Sequence, residues 1–319
     1  MTMKFSVIVT VDPNRQTVKK LLDTLKVQTY TNYEVILVVD DQATAMHQLI
    51  TPYLTDPRFR MVLKTYRGVA AARNFGMENS SGDYILFCDD DDYVDADFLE
   101  QLSVAVTDNP GIDMVKYQPQ LVDMNGQVLR RVFDTAFSKL SALEAFHILI
   151  QGDYVEPAVL YAYRVDFLKE QKLLFQEGKS ECDFGFVPLA LVYAKAIMSL
   201  TYAGFYFTKR NRRQIVAGSE KATRIVYDTL FQYDYMMKKV ETDETISDAL
   251  KKTFFDYISY NVILKGTLLP DDAIPAYTLE LNKRSVTKYL NANTISKFIT
   301  KMKIERDMDA FIKKNKTKK

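Results

Sequence analysis

The run Phe87-Cys88-Asp89-Asp90-Asp91-Asp92 sets four carboxylates directly behind an apolar segment, Tyr84 to Cys88. Adjacent carboxylates repel one another, and a divalent cation held between them and a bound phosphate relieves that cost. Taken by position alone, the run reads equally well as a solvated acidic turn, or with Asp92 capping a helix that starts near Val94. A second acidic pair, Asp40-Asp41, follows the apolar run Tyr33 to Val39. A third group, Ser180-Glu181-Cys182-Asp183, opens the helical stretch Phe184 to Ala194. Carboxylates at such places suit cation binding or proton transfer, with helix capping as the structural alternative.

The elements around these acids decide whether they can meet. Lys4 to Val11 is a β-branched, mostly apolar run that ends in Asp12-Pro13-Asn14, which predicts a buried strand and a turn. Val18, Leu21, Leu22 and Leu25 then recur at helical spacing, and Tyr33 to Val39 predicts a second buried strand. A helix near Thr44 to Leu54, a strand near Arg60 to Lys64, a helix from Gly68 to Asn79 and the Tyr84 to Cys88 strand continue the alternation. The fold class is therefore α/β, a mostly parallel sheet flanked by helices. In such sheets ligands collect outside the carboxyl ends of the strands. Asp40-Asp41 and Asp89 to Asp92 both stand there, so the shared location favours a site.

Beyond them, Asp97 to Thr107 reads as a helix, Asp113 to Gln118 as a strand, and Asn125-Gly126 as a hairpin turn between Gln120 to Asp123 and Gln127 to Val132. Leu140 to Ile150 and Val165 to Gln171 read as helices, and Ile197 to Thr208 as strands. From Glu220 the texture turns helical: Ile225 to Val240, Thr245 to Lys265, Ala276 to Leu290 and Ile295 to Lys313. The expected division is residues 1–218 and 219–319. An apolar stripe, including Ile295, Phe298, Ile299 and Met302, runs into a lysine-rich tail. It reads as a core-facing helix with a solvated end, with membrane-surface contact as the alternative.

Composition limits the partners. The 319 residues are 47% hydrophobic and 26% charged, which excludes wholesale disorder. Lys+Arg at 42 against Asp+Glu at 41 leaves no global field that would attract nucleic acid. No apolar run approaches the ~20 residues that span a bilayer, and the N-terminus shows no signal-peptide pattern, so the expected location is cytoplasmic. Cys88 and Cys182 lie in separate segments without zinc-ligand spacing and read as reduced thiols.

Four pieces, VIVTV, QTYTNYEVILVVDD, GVAAARNFGMENSSGDYILFCDDDDYV and SECDFGF, occur in an order that resembles family 2 glycosyltransferases of the GT-A fold. The resemblance covers residues 4 to 215. More loosely, chain length, helical tail and acid motifs resemble bacterial cell-surface polysaccharide and wall teichoic acid glycosyltransferases. It implies that Thr10 and Val11 line a nucleoside pocket and that Asp41 faces the base. A carboxylate there can accept from uracil N3-H, hence a UDP-sugar donor. Arg73 corresponds to a residue that approaches the nucleotide; its structural alternative is a surface salt bridge. Asp89 and Asp91 map onto the Asp-x-Asp motif. Asp91 is the implied direct ligand of Mn2+ or Mg2+, Asp89 its partner toward ribose or a metal-bound water, Asp90 the spacer, and Asp92 the sugar-side or capping acid.

Asp183 matches the family's general base, with Glu181 as the second candidate, because Cys182 stands where the family has a Glu. Other departures are Gln42-Ala43-Thr44 in place of a Gly-Ser, Tyr66-Arg67 where an Asn is frequent, and the basic cluster Lys209 to Arg213 where some relatives carry a metal-binding His. The implied activity is an inverting, metal-dependent transfer of a hexose or N-acetylhexosamine from a UDP-sugar to a hydroxyl of a glycan, teichoic acid or lipid-linked saccharide. Residues 219–319 would contact acceptor, membrane surface or a second copy, giving a homo-oligomer. A nucleotidyltransferase and a non-catalytic sugar-nucleotide or glycan-binding module are the competing readings. The first lacks a Gly-rich phosphate loop at Thr10 to Arg15, and the second is opposed by the intact Asp89, Asp91 and Asp183.

Overall fold

The computed structural model describes residues 2–13, 17–65, 68–132, 135–152, 155–209 and 216–291. Tyr66-Arg67, the basic residues Arg210, Arg212 and Arg213, and the helix and tail expected after Ile295 lie outside them. The chain divides into two compact units, Met1–Gln214 and Ile215–Lys319.

In the first unit the apolar runs become strands and the runs of helical spacing become helices. β1 (Phe5–Thr10), α1 (Val18–Lys26), β2 (Tyr33–Val39), α2 (Thr44–Ile50), β3 (Phe59–Leu63), α3 (Val69–Glu78) and β4 (Tyr84–Asp89) alternate along the chain. β2 is buried at every position, as a strand covered on both faces should be. β5 (Tyr93–Val94), α4 (Phe98–Asp108), β6 (Met114–Lys116), β7 (Pro119–Val122), β8 (Val128–Arg131), β9 (Phe137–Leu140), α5 (Ala142–Leu149), β10 (Tyr161–Arg164), α6 (Val165–Glu170), α7 (Cys182–Tyr193), β11 (Ile197–Ser199) and β12 (Phe205–Thr208) follow.

The main sheet has the order β3-β2-β1-β4-β10-β6-β11-β9. β1 pairs in parallel with both β2 and β4, whereas β10 is antiparallel to β4 and β6. The sheet is thus parallel in one half and mixed in the other, and neither β9 nor β10 was foreseen in the sequence. A smaller sheet, β5-β12-β7-β8, contains the expected hairpin, with Gly126 at φ +83° in its turn. Strand order reverses between β1 and β4, where Thr10 pairs in register with Asp89. That is the switch point at which such sheets bind ligands.

Two close approaches set the geometry there. A Cβ on Gly76 would stand 2.3 Å from Ile8 Cγ2, so the missing side chain lets α3 lie directly on β1. Phe87, Phe175 and Phe186 join β4, the segment before α7 and α7 itself in one aromatic cluster, with Phe175 and Phe186 stacked at 3.9 Å.

The second unit holds α8 (Glu220–Val240), α9 (Asp248–Lys265) and α10 (Ile274–Lys283). Ser219 and Ser247 cap α8 and α9 by accepting from Ala222 N and Leu250 N. Arg284 forks onto Asp234 at 2.7 and 2.9 Å, tying the end of α10 to α8. The expected helix to Leu290 stops at Lys283, and a 3-10 turn, Val286–Tyr289, follows Ser285 in a left-handed conformation. Among the described residues no helix is long and apolar enough to cross a membrane.

Candidate functional site

The acidic run does not behave as four equivalent acids. Asp89 ends β4, and the chain then turns so that Asp89, Asp91 and Asp92 bring carboxylate oxygens within 4.8 Å of one another. Asp90 points elsewhere: it is 2% exposed and accepts from Asp12 N at 3.0 Å, fastening the segment after β1 to the turn. Asp90, expected as the spacer, keeps its carboxylate outside the group of three.

Asp92, expected as the sugar-side or capping acid, is a member of that group. It is 1% exposed and accepts from Thr208 N at 3.1 Å, while the Thr208 hydroxyl donates to the carbonyl of Asp91. No helix begins near Val94; Tyr93 and Val94 pair with β12, and α4 starts at Phe98, so Asp92 caps nothing. Burial, and then the charges of Asp89 and Asp91, push its carboxyl well above the usual carboxylate range. Three crowded carboxylates, one of them buried, fit a hard divalent cation with oxygen ligands such as Mn2+ or Mg2+.

Arg73 lies beneath this group. Its structural alternative, a surface salt bridge, would leave the guanidinium exposed. Instead Ala70, Ala72 and Gly76 draw the helix onto the sheet and leave Arg73 3% exposed. One Nη donates to Asp89 at 3.2 Å and the other to Asp183. Burial opposes its charge, but Asp183 and Asp89 outweigh that and raise the guanidinium's pKa above its ordinary value.

Asp183 sits in the first turn of α7. Glu181 is the residue preceding that helix, at φ +56°, and its side chain makes no capping hydrogen bond. Asp183 accepts from Arg73, from Ala158 N at 3.1 Å and from Cys182 Sγ at 3.6 Å. A carboxylate offers about four lone-pair sites, so capacity remains for a further proton donor. Burial and the neighbouring Asp183 push the Cys182 thiol up to about 12, leaving it a thiol at neutral pH.

Thr10 extends its hydroxyl toward Asp89 at 3.4 Å, and Val11 is buried beside it at the end of β1. Asp41 is exposed past the end of β2 and accepts from Thr65 at 2.6 Å. Asn74 was overlooked in the sequence. It donates to Phe175 O and accepts from Phe175 N, both at 2.9 Å, and so fixes the segment that leads into α7.

Several known proteins resemble this chain. The putative glycosyltransferase EpsH of Bacillus subtilis is 30% identical over 123 residues, 38% of this chain and 36% of EpsH. The poly(ribitol-phosphate) beta-N-acetylglucosaminyltransferase TarS of Staphylococcus aureus is 23% identical over 263 residues, 80% of this chain and 44% of TarS. The chain thus matches less than half the length of these curated relatives. Residues 1–349 of TarS, crystallised with UDP-GlcNAc, superpose with a TM-score of 0.63 at 18% identity over 90% of this chain and 89% of that one. The mannosyltransferase PcManGT of Pyrobaculum calidifontis, in complex with GDP-Man and Mn2+, gives 0.58 at 13% identity over 95% and 81%. These likenesses carry the fold, the GT-A arrangement of sheet and helices. Residues 6–170, more than half of the chain, match the profile of glycosyl transferase family 2, and the chain belongs to that family.

Proposed function

We propose that the chain is an inverting, metal-dependent glycosyltransferase that moves a hexose or N-acetylhexosamine from a UDP-sugar to a hydroxyl of a cell-surface glycan, teichoic acid or lipid-linked saccharide. The observation that carries this reading is the joining of the Asp89-Asp91-Asp92 group to Asp183 through a single buried arginine. The UDP-GlcNAc held by TarS and the Mn2+ held by PcManGT support the donor and the metal.

In this reading Thr10 and Val11 line the nucleoside pocket and Asp41 accepts from the base. Asp91 and Asp89, with Asp92 behind them, hold Mn2+ or Mg2+. The cation, when bound, supplies Lewis-acid stabilisation of the charge that develops on the departing diphosphate. Asp183 takes the proton of the acceptor hydroxyl as its oxygen attacks the anomeric carbon from the face opposite the leaving group. Glu181 is the alternative base, one helical position earlier than α7 begins. The helical unit from Ile215 takes the role of acceptor contact, membrane-surface contact or self-assembly, and the reaction belongs to the cytoplasmic side.

The test is a screen of UDP-sugars for thermal stabilisation with Mn2+, followed by UDP release and transfer assays on Asp91→Asn and Asp183→Asn. Asp91→Asn should lose the Mn2+-dependent stabilisation. Asp183→Asn should keep it to within about tenfold in affinity and lose transfer, by about 10²–10⁴-fold. Tight nucleotide binding without UDP release from any UDP-sugar would instead identify a binding module. Near-normal transfer by Asp183→Asn would move the base to Glu181 or another residue.

A further inference from the structure

Arg73 is placed where neither a structural salt bridge nor a nucleotide contact alone would put it. Its two Nη atoms are divided between Asp89, at 3.2 Å, and Asp183, residues on different elements with different proposed duties. Its Nε is buried without a hydrogen-bond partner, so the guanidinium is not optimised for either acid alone. Its carbon lies 5.6 Å from the ring centre of Phe87 and 5.2 Å from that of Phe175, two rings of the cluster that packs α7 against β4. Asn74 fixes Phe175 from both backbone groups. The charge is therefore held in place, and what varies is how it is shared.

Resting on the reading of Asp89 and Asp91 as cation ligands and Asp183 as base, we propose that Arg73 is a positioning residue that couples the two: one guanidinium is shared between them, so charge at either acid alters its hold on the other. A cation that takes Asp89 draws its carboxylate away from Arg73, and the guanidinium then serves Asp183 more fully, orienting that carboxylate for the acceptor. Conversely, removing the charge of Asp183 leaves Arg73 wholly to Asp89, which then holds a cation less well. The coupling is reciprocal because it is one free energy seen from two sites.

The experiment is a double-mutant cycle read by Mn2+ binding alone, with no sugar nucleotide and no turnover. Free Mn2+ is titrated by its electron paramagnetic resonance signal against the full chain, Asp183→Asn, Arg73→Gln and the double variant. Asp183→Asn should weaken Mn2+ binding by about five- to tenfold, the lower end of ordinary coupling between sites. Direct loss of a nearby negative charge acts in the same sense. The cycle separates the two, because in the Arg73→Gln background the same change should cost no more than about twofold. Equal effects of Asp183→Asn in both backgrounds would overturn the proposal. Should Arg73→Gln fail to fold, Arg73→Lys replaces it; its single ammonium keeps the charge but cannot fork to both acids, so the coupling should shrink there too. Mn2+ binding that survives Asp91→Asn unchanged would defeat the cation-site reading instead, which is a separate outcome.

Discussion

Acidic side chains stand at both ends of the main sheet, and the two sets are treated in opposite ways. At the amino ends, Glu34 accepts from Ser6 at 2.7 Å, from the backbone and hydroxyl of Ser81 at 2.7 and 2.8 Å, and from Arg60 at 3.1 Å. Burial alone would push its carboxyl up, but these donors outweigh it and bring it down to about 2. Asp113, 1% exposed, is likewise held by Arg164 at 2.6 Å and by Lys195 N at 2.6 Å. At the carboxyl ends, Asp89, Asp91 and Asp92 crowd together, and Arg73 is already divided between Asp89 and Asp183. Donors matched to each acid make a structural joint. Carboxylates crowded together, with Asp92 raised by its burial and its neighbours, make a place that gains from an incoming cation.

The strongest way to break this comparison is to substitute the carboxyl-end acids and look for loss of chemistry without loss of fold. Asp183→Asn is expected to lower transfer by about three orders of magnitude, with the melting temperature close to that of the unchanged chain. A variant that melted early and bound no UDP with Mn2+ would put Asp183 among the structural acids. At the other end the expectation inverts. Glu34→Gln removes a charge that several donors converge on, at a cost of about 2 kcal/mol in denaturant unfolding, while kcat per folded molecule stays unchanged. The pH dependence has a definite sign. Glu34 is depressed in the folded state, so its contribution is present above its ordinary value of 4.5 and is lost as pH falls toward about 2. Glu34→Gln should flatten that acid limb.

Between the two ends lies α3. Gly76→Ala forces a Cβ against Ile8 and should cost about 1–2 kcal/mol in stability. It should also lower transfer in proportion to how far α3, and Arg73 with it, is displaced from the acids. Loss of stability with unaltered turnover would show that Arg73 tolerates such a shift and that the carboxyl end is less tightly built than its contacts imply.

The parallel half of the fold was legible because β1, β2 and β4 are long apolar runs separated by helical spacing. β9 and β10 were not, because each has four residues, and Tyr161–Arg164 carries no alternation that marks a strand. Its partners β4 and β6 come from elsewhere in the chain. The site divides in the same way. Asp89, Asp91 and Asp183 could be proposed from position and motif, since Asp89 ends β4, Asp91 follows it closely and Asp183 lies in the first turn of α7. Thr208 and Asn74 could not: their bonds to Asp92 and Phe175 span 116 and 101 residues and leave no local trace. Arg73 was legible as a residue, but its depth was not. Small neighbours signal close helix packing, and here packing carried the guanidinium inward.

Asp92 gives the finest test, because it combines the burial of a structural acid with a place in the proposed cation group. Its native carboxyl is raised well above 3.8, first by burial and then by Asp89 and Asp91. Over the interval between the unfolded and native values the folded chain holds the extra proton, so this group's contribution is fully present below the unfolded value and is lost as pH rises through the native one. Asp92→Asn removes that dependence and keeps an oxygen to accept from Thr208 N. Without divalent cation the variant should therefore unfold like the unchanged chain near pH 4 and be the more stable of the two above neutrality, by roughly 1 kcal/mol, the scale of one buried polar group. Mn2+ should close that gap by stabilising the unchanged chain more than the variant, since binding to the folded state adds stability by mass action. If Asp92→Asn were instead the less stable chain at every pH, Asp92 would belong with Glu34, and the cation would rest on Asp89 and Asp91 alone.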